Sequence, residues 1–376
     1  MRKKFFRVYQ IKKVFIVGIV LVFAIVLMSK PQAAILSCTQ ALGRCGRIIV
    51  PSLFPFFVCS SLLVGLGFAD YMTRFLNPIM KPLFNVPGSG GLALILGVLS
   101  GYAVGASTVA SLRERNLCSR EEGERMLAFC TNSGPLFILG SIGIGVFYNQ
   151  TLGILLYVTH IIAAITVGFI FRFYKADRTS EVIVYKKKLK VSKPLSEIVT
   201  SCVKASAINI FFVCAFVIIF NVFVDLLILV PFQTSTNVIP SFLSGLFEVS
   251  IGAVMTGTLP ILSMTQKLIM VSFLLGFGGF CVHFQVIGMI AKTDLSIRPY
   301  LIGKALCGAF SAIILIILLR FIPLPMKAFL PYGNNITYSP ETFENAIRIT
   351  FFYIGIAAAA MVVLYIITLI VSHKEK

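Results

Sequence analysis

A membrane-length apolar run in the first half of this chain is interrupted at its centre. The run Leu92–Leu112 carries Ser100, Gly101 and Gly105 where a simple membrane anchor carries leucine or isoleucine. Two further apolar segments are also interrupted, at Asn132–Pro135 and at Gly276–Gly279. A helix that breaks inside the membrane frees backbone N–H and C=O groups, which hydrocarbon cannot satisfy, so the break must be buried by protein or must line a polar cavity. Such breaks indicate the binding site of a transporter.

Composition places the chain among polytopic membrane proteins. Its 376 residues are 58% hydrophobic and 12% charged, with a mean hydropathy of +0.95, whereas soluble domains carry about 25% charged residues. The net charge of +19 reflects basic cytoplasmic loops and attraction to anionic lipid, or a positive potential that serves an anionic substrate. Nucleic-acid binding is not expected, because the basic residues flank apolar spans.

Residue types that carry catalysis or bind metals are scattered. The nine cysteines show no C-x-x-C spacing, and His160, His283 and His373 lie far apart in the sequence. Zinc and di-iron sites therefore have no sequence support. There is no G-x-S-x-G or P-loop motif. We expect no enzyme activity and no cofactor. A coupling proton or sodium ion is the one candidate for an ion that binds together with the cargo.

Apolar segments and one basic linker divide the chain into four units. The predicted spans are approximately Val14–Met28, Leu53–Phe68, Leu92–Leu112, Met126–Phe147, Leu152–Phe173, Ala205–Val230, Leu268–Ile290, Pro299–Ile322 and Ile347–Val371. The amphipathic stretches Ala34–Val50 and Val238–Gly257 are too polar or too short to span. The predicted units are residues 1–33, a basic segment and first transmembrane helix; 34–174, a first repeat; 175–195, a basic cytoplasmic linker; and 196–376, a second repeat. Met1–Met28 also has the form of a signal peptide, but Lys30–Ala34 is a poor cleavage site, so we predict a retained helix with a cytoplasmic N-terminus.

The basic loops favour a hairpin over a full crossing at Leu92–Leu112. With the N-terminus inside, a full crossing would place Arg113 and its basic neighbours outside, whereas a segment that turns back keeps them inside. Charge and glycine placement both predict a re-entrant hairpin with its tip near Ser100–Gly105.

A weak internal repeat at an offset of 178 pairs Gly101 with Gly279. The first half enters the membrane from outside and the second from inside, so the repeats are expected to be inverted. This predicts a second hairpin at Gly278–Gly279, with Lys292 and the C-terminus outside. A full crossing of Leu268–Ile290 would reverse the placement of Lys292.

Six motifs over nearly the whole chain resemble a known family. They are Pro51–Phe57, Phe84–Gly88, Leu99–Ala106, Glu122–Arg125, Thr131–Gly140 and Phe277–Val286. They resemble the YlbJ-type sporulation integral membrane proteins of the Gate, or nucleoside-recognition, group, which includes the concentrative nucleoside transporters. The resemblance implies an all-α fold with two Gate-like repeats. It also implies a mother-cell membrane protein of an endospore former that moves dipicolinic acid towards the forespore. Ala103 stands where the family usually has proline.

The first candidate site is the hairpin tip, with Ser100, Gly101, Tyr102 and Gly105. A tip exposes successive N–H groups and a helix N-terminus, which suit a carboxylate, and the Tyr102 ring suits an aromatic ligand. The alternative is close helix packing through small residues.

A second candidate anion-binding site follows in the next interrupted segment. Thr131, Asn132 and Ser133 precede Gly134 and Pro135, and the proline disrupts the helix. The alternative for these three polar residues is a hydrogen-bonded patch between helices.

The second half contributes Gly278, Gly279, His283, Gln285 and Glu248. His283 could donate to a carboxylate or exchange a proton, or it could be a buried histidine satisfied by a backbone carbonyl. Glu248 is a carboxylate in an apolar stretch, which makes it a candidate for binding a coupling proton or sodium ion.

The residues themselves favour a transporter of a small polar or anionic cargo, and the resemblance specifies dipicolinate. The alternatives are a carrier of nucleosides or other small metabolites on the same fold, and a sporulation membrane scaffold that transports nothing. Expected partners are the cargo, membrane lipid, and further copies of this chain or other sporulation membrane proteins.

Overall fold

The computed structural model describes residues 2–176, 194–229 and 237–321, and within these ranges the regular structure is entirely helical. Five helices in this part are long and apolar enough to cross a membrane, or six if one bent pair counts as a span. The all-α polytopic architecture is confirmed. Most of the predicted linker and the last predicted span, Ile347–Val371, lie outside the described residues.

The N-terminal helices form a longer unit than the sequence predicts. Helix α1 is Arg2–Ser29, α2 is Pro31–Arg44 and α3 is Val50–Gly65. A π-helical turn at Cys45–Ile49 joins α2 to α3, so that Pro31–Gly65 is one 35-residue candidate span. The stretch Ala34–Val50, predicted to be amphipathic and too polar or too short to span by itself, is continuous with α3, because no residue between Arg44 and Val50 ends the helix.

Helices α4 (Phe68–Phe84), α5 (Ser89–Ser100) and α6 (Tyr102–Glu114) contain the predicted hairpin. The α4–α5 pair bends by 82°. The chain then turns back at Gly101, whose φ of +114° lies in a region that favours glycine. The Ser89 hydroxyl at the start of α5 donates to the Leu117 carbonyl just beyond α6, at 3.3 Å. Both ends of the hairpin therefore lie at the same face of the bundle, as predicted.

The next two helices cross the bundle and return. Helix α7 (Arg120–Cys130) ends in an unwound segment at 131–134, and a π-helical segment, Leu136–Ile144, continues the crossing. Helix α8 (Gln150–Phe171) brings the chain back. Lys175, just beyond α8, contacts Glu124 near the start of α7 at 2.8 Å. We call this end of the bundle the linker face.

The described part of the second half contains six α-helices. Helix α9 is Leu195–Val224, α10 is Val238–Phe247, α11 is Val249–Thr258, α12 is Met264–Phe277, α13 is Gly279–Ile290 and α14 is Ile297–Leu318. Helices α10 and α11 form a second hairpin with its tip at Glu248, because Gly245 and Gly252 pack backbone to backbone. Gly257 near the end of α11 lies against Val146 and Phe147, so this hairpin opens at the face opposite the linker face.

The predicted second hairpin at Gly278–Gly279 is wrong. Helices α12 and α13 together form one 27-residue candidate span, Met264–Ile290. Gly278 and Gly279 both have positive φ, which interrupts the helix without turning the chain back. The offset of 178 therefore pairs the hairpin tip at Gly101 with a break inside a span.

The loop after α13 lies at the linker face. Arg113 makes two hydrogen bonds to the Asp294 carboxylate, at 2.8 and 3.0 Å, and the Ser296 N–H donates to Glu124. These bonds hold the pKa of Asp294 below its ordinary value, so Asp294 is ionised at neutral pH. Lys292 lies in this loop, so the prediction that Lys292 and Arg113 occupy opposite faces is wrong.

Cysteine labelling tests this topology. We expect Lys292→Cys and Glu114→Cys to react with an impermeant maleimide from the same side of the membrane, and Ile261→Cys to react from the other side. All three positions are exposed. Reactivity is measured above that of the parent protein, which has native cysteines. Opposite sidedness of positions 114 and 292 would contradict the contact between Arg113 and Asp294.

Candidate functional site

The tip of the first hairpin lies against the unwound segment after α7. A Cβ on Gly134 would stand 3.3 Å from the Ser100 carbonyl carbon and 3.5 Å from the Gly101 nitrogen. The structure therefore brings together two predicted sets, Ser100–Tyr102 and Thr131–Ser133. All of these residues are buried.

Several polar atoms at this junction have no hydrogen-bond partner within the described residues. They are Ser100 Oγ, Asn132 Oδ1, Ser133 Oγ and His160 Nδ1. A buried polar atom without a partner costs about 1–3 kcal/mol. Four such atoms on neighbouring elements indicate a place that accommodates a polar ligand.

His160, on α8, belongs to this junction, although it was not predicted as a site residue. The Ser133 N–H donates to His160 Nε2 at 3.0 Å. A neutral imidazole that accepts at Nε2 carries its proton on Nδ1, and Nδ1 is the atom without a partner. His160 is wholly buried and lies beside Tyr102, with ring centroids 6.4 Å apart. It thus supplies an unused N–H donor.

Tyr102 connects the two halves of the protein. Its hydroxyl donates to the Leu275 carbonyl at 2.5 Å. Its ring lies against Gly278, where a Cβ would stand 3.4 Å from Cε1. The helix break between α12 and α13 therefore contacts the first hairpin through Tyr102. Gly278 lies at the junction as a break inside a span, whereas the sequence predicted a hairpin tip.

Lys304 is the second residue that sequence reasoning missed. It lies on α14 and is wholly buried, with Nζ donating to the Thr131 carbonyl at 2.8 Å and standing 5.1 Å from the centroid of the Tyr102 ring. The available signal was a lysine inside an apolar segment, because ionisable residues within spans mark functional sites. We use the name central junction for Ser100–Tyr102, Thr131–Ser133, His160, Gly278 and Lys304.

The other predicted residues lie next to the central junction or apart from it. Gly105 packs against the Cys130 carbonyl and serves helix packing. Gly279 packs on the carbonyls of Gly245 and Leu246 in the second hairpin. His283 Nδ1 pairs with the Tyr300 hydroxyl at 3.0 Å, and the Gln285 amide donates to Cys281 Sγ at 3.3 Å within α13.

Glu248 forms the tip of the second hairpin. Its carboxylate accepts from the Ile251 N–H at 2.8 Å and from the Ser250 hydroxyl, and only 5% of the residue is exposed. It thereby caps α11, where the helix dipole favours a negative charge. The described residues contain no group of three or more His, Cys, Asp or Glu side chains that could hold a metal ion.

This fold and site define a class, a multi-pass helical membrane protein with a buried polar junction between broken helices. The chain belongs to the family of the sporulation integral membrane protein YlbJ. That protein of Bacillus subtilis (strain 168) is 34% identical to this chain over 342 residues, which cover 82% of this chain and 83% of YlbJ. Residues 46–174 match the Gate family model, described as nucleoside recognition. No solved structure matches the chain. The resemblance inferred from the six motifs is confirmed.

Proposed function

We propose that the protein is a membrane transporter that moves a small aromatic dicarboxylate, dipicolinic acid, during endospore formation. The observation that carries this proposal is the central junction, where two interrupted segments meet around buried polar atoms without partners. A structural patch would be expected to satisfy these atoms internally, whereas a binding site leaves them free for cargo. The sporulation name of YlbJ and the Gate match support the biological setting. The choice of dipicolinate comes from the family resemblance.

The proposed architecture is a pair of inverted repeats, as in the concentrative nucleoside transporters. Each half has a hairpin, an interrupted span and then a 22-residue helix, α8 or α14. Ile297 follows Gln150 by 147 positions, an offset that pairs like elements. The first hairpin opens at the linker face and the second at the opposite face. Rocking of one repeat against the other would expose the central junction to each side in turn.

On binding, the carboxylates of the cargo would exchange their hydration water for hydrogen bonds from donor groups of the central junction. The N–H groups at the tip of the first hairpin and after Ser133 lie at helix N-termini, which suit anions. Glu248 remains the candidate for binding a coupling proton or sodium ion. While no ion is bound, its carboxylate would accept hydrogen bonds from the Ser250 hydroxyl and the Ile251 N–H. No step of the proposed transport requires a catalytic residue.

The proposed setting is the mother-cell-derived membrane of a spore former. The N-terminus and the linker face would lie in the cytoplasm, because Lys175–Lys193 carries seven basic residues. Lipid, further copies of the chain and other sporulation membrane proteins remain the proposed partners.

Uptake into proteoliposomes tests the proposal. We expect the purified full-length protein to carry radiolabelled dipicolinate and not uridine in the same vesicle preparation. Protein-free vesicles are the control. Uptake of uridine alone would replace this function with nucleoside transport, and uptake of neither cargo would favour a scaffold.

A further inference from the structure

The ammonium group of Lys304 lies within the protein without a full negative charge beside it. The residue is wholly buried on α14, a helix of 22 residues that qualifies as a membrane span. Of the ion pairs formed within the described part of the chain, none includes Lys304. Its neighbours are the Thr131 carbonyl and the face of the Tyr102 ring. Both carry only partial negative charge, so a protonated Lys304 would leave this site with a net positive charge.

A charge buried in this way is costly unless something pairs with it. An ammonium group has three N–H donors, and one of them is used by Thr131. Intramembrane lysines are rare. They pair with an opposite charge or with a backbone carbonyl, and they mark substrate pathways. The structural alternative is a lysine kept only to hold the unwound segment through its bond to Thr131.

The atoms around Lys304 also favour an anion. Ser100 and Ser133 have hydroxyl groups without partners, and His160 has a free Nδ1–H by the tautomer argument above. All three groups are donors, and an anionic oxygen makes its strongest hydrogen bonds with donors of this kind when a cation stands nearby. Asn132 Oδ1 is the unpartnered atom among these that can only accept a hydrogen bond.

We propose that Lys304 binds a carboxylate of the cargo and makes the central junction selective for anions. This inference rests on the proposed function and adds the residue that discriminates charge. Thr131 and Tyr102 would hold the ammonium group in place while no cargo is bound. The carboxylate would then complete the pairing of Lys304.

Equilibrium binding to the full-length protein in phosphatidylcholine nanodiscs tests this inference without transport. The probes are pyridine-2,6-dicarboxylate and the uncharged pyridine-2,6-dicarboxamide. We expect Lys304→Gln to weaken binding of the dicarboxylate by about 10- to 100-fold, because a charge-assisted hydrogen bond is lost. Binding of the dicarboxamide should not weaken, and Lys304→Arg should retain preference for the dicarboxylate.

Glutamine keeps an N–H donor for Thr131 and removes only the charge, which separates the two roles of Lys304. Lys267→Met is the matched control, because Lys267 is a buried lysine near the start of α12, and we expect it to bind as the parent does. Full dicarboxylate affinity in Lys304→Gln would overturn the inference. If that variant does not fold, equal affinity of the parent for both probes, or no binding of the dicarboxylate, would overturn it. Binding without uptake would instead reject the transport proposal and leave Lys304 as an anion-binding residue.

Discussion

Asn132→Leu should slow cargo movement by about tenfold or more and leave the protein folded. The side chain makes one hydrogen bond, from Nδ2 to the Phe129 carbonyl at 2.7 Å, and its Oδ1 has no partner. Leucine loses that bond, worth about 1 kcal/mol, and removes an unpaired acceptor whose burial costs about as much. Stability should therefore change little. A polar cargo that loses its contact here should be taken up about tenfold more slowly or worse.

The measurement pairs dipicolinate uptake in proteoliposomes with the thermal unfolding midpoint of the same preparation. Thr166→Leu is the control, because Thr166 lies on α8 and bonds only to the Ile162 carbonyl within its own helix. Gly101→Leu should also lose uptake, but at a cost in stability, because leucine is strained at a φ of +114°. If both variants insert stably and spores still accumulate dipicolinate, then the transport site is misplaced or absent and the scaffold alternative gains.

Gly252→Ala should destabilise the second hairpin. A Cβ at this position would collide with the backbone of Gly245 across the hairpin, and no flexible side chain is available to move aside. Overpacking of a close-packed interior costs about 1–3 kcal/mol, and a backbone collision should lie at the upper end of this range. We expect a lower yield of monodisperse protein in detergent and a lower unfolding midpoint. Gly97→Ala should act similarly in the first hairpin, where the Cβ would meet the Cys130 carbonyl.

Gly43→Ala provides the matched control for the glycine variants. Gly43 lies within α2, and nothing stands within 4 Å of the Cβ that alanine would add. Alanine at such a helical position should keep or slightly raise stability, by about 0.5–1 kcal/mol. Equal unfolding midpoints for Gly252→Ala and Gly43→Ala would show that α10 and α11 do not pack as a hairpin.

The first half of the fold could be predicted closely because its signals are local. Gly101 is a glycine, which can adopt the positive φ that the turn between α5 and α6 requires. Arg113 and its basic neighbours favour a hairpin whose two ends lie at the same face of the membrane. Pro135 follows the unwound segment, as a residue that disrupts helices should. The second half has weaker local signals. Gly278–Gly279 and Glu248 each interrupt an apolar stretch, and the sequence pattern does not say which interruption turns the chain back.

By itself, the sequence determined the membrane class, the all-helical architecture and the first hairpin, because the bilayer demands apolar spans and satisfied backbone groups. It also carried the motifs that identify the family. Only the tertiary structure decided that Glu248 is the second hairpin tip and that Lys304 and His160 join Tyr102 at the central junction. Those outcomes depend on contacts between distant segments, such as Gly245 with Gly252 and Lys304 with Thr131. Hydropathy and spacing describe one segment at a time, and they do not encode which buried faces of different helices meet.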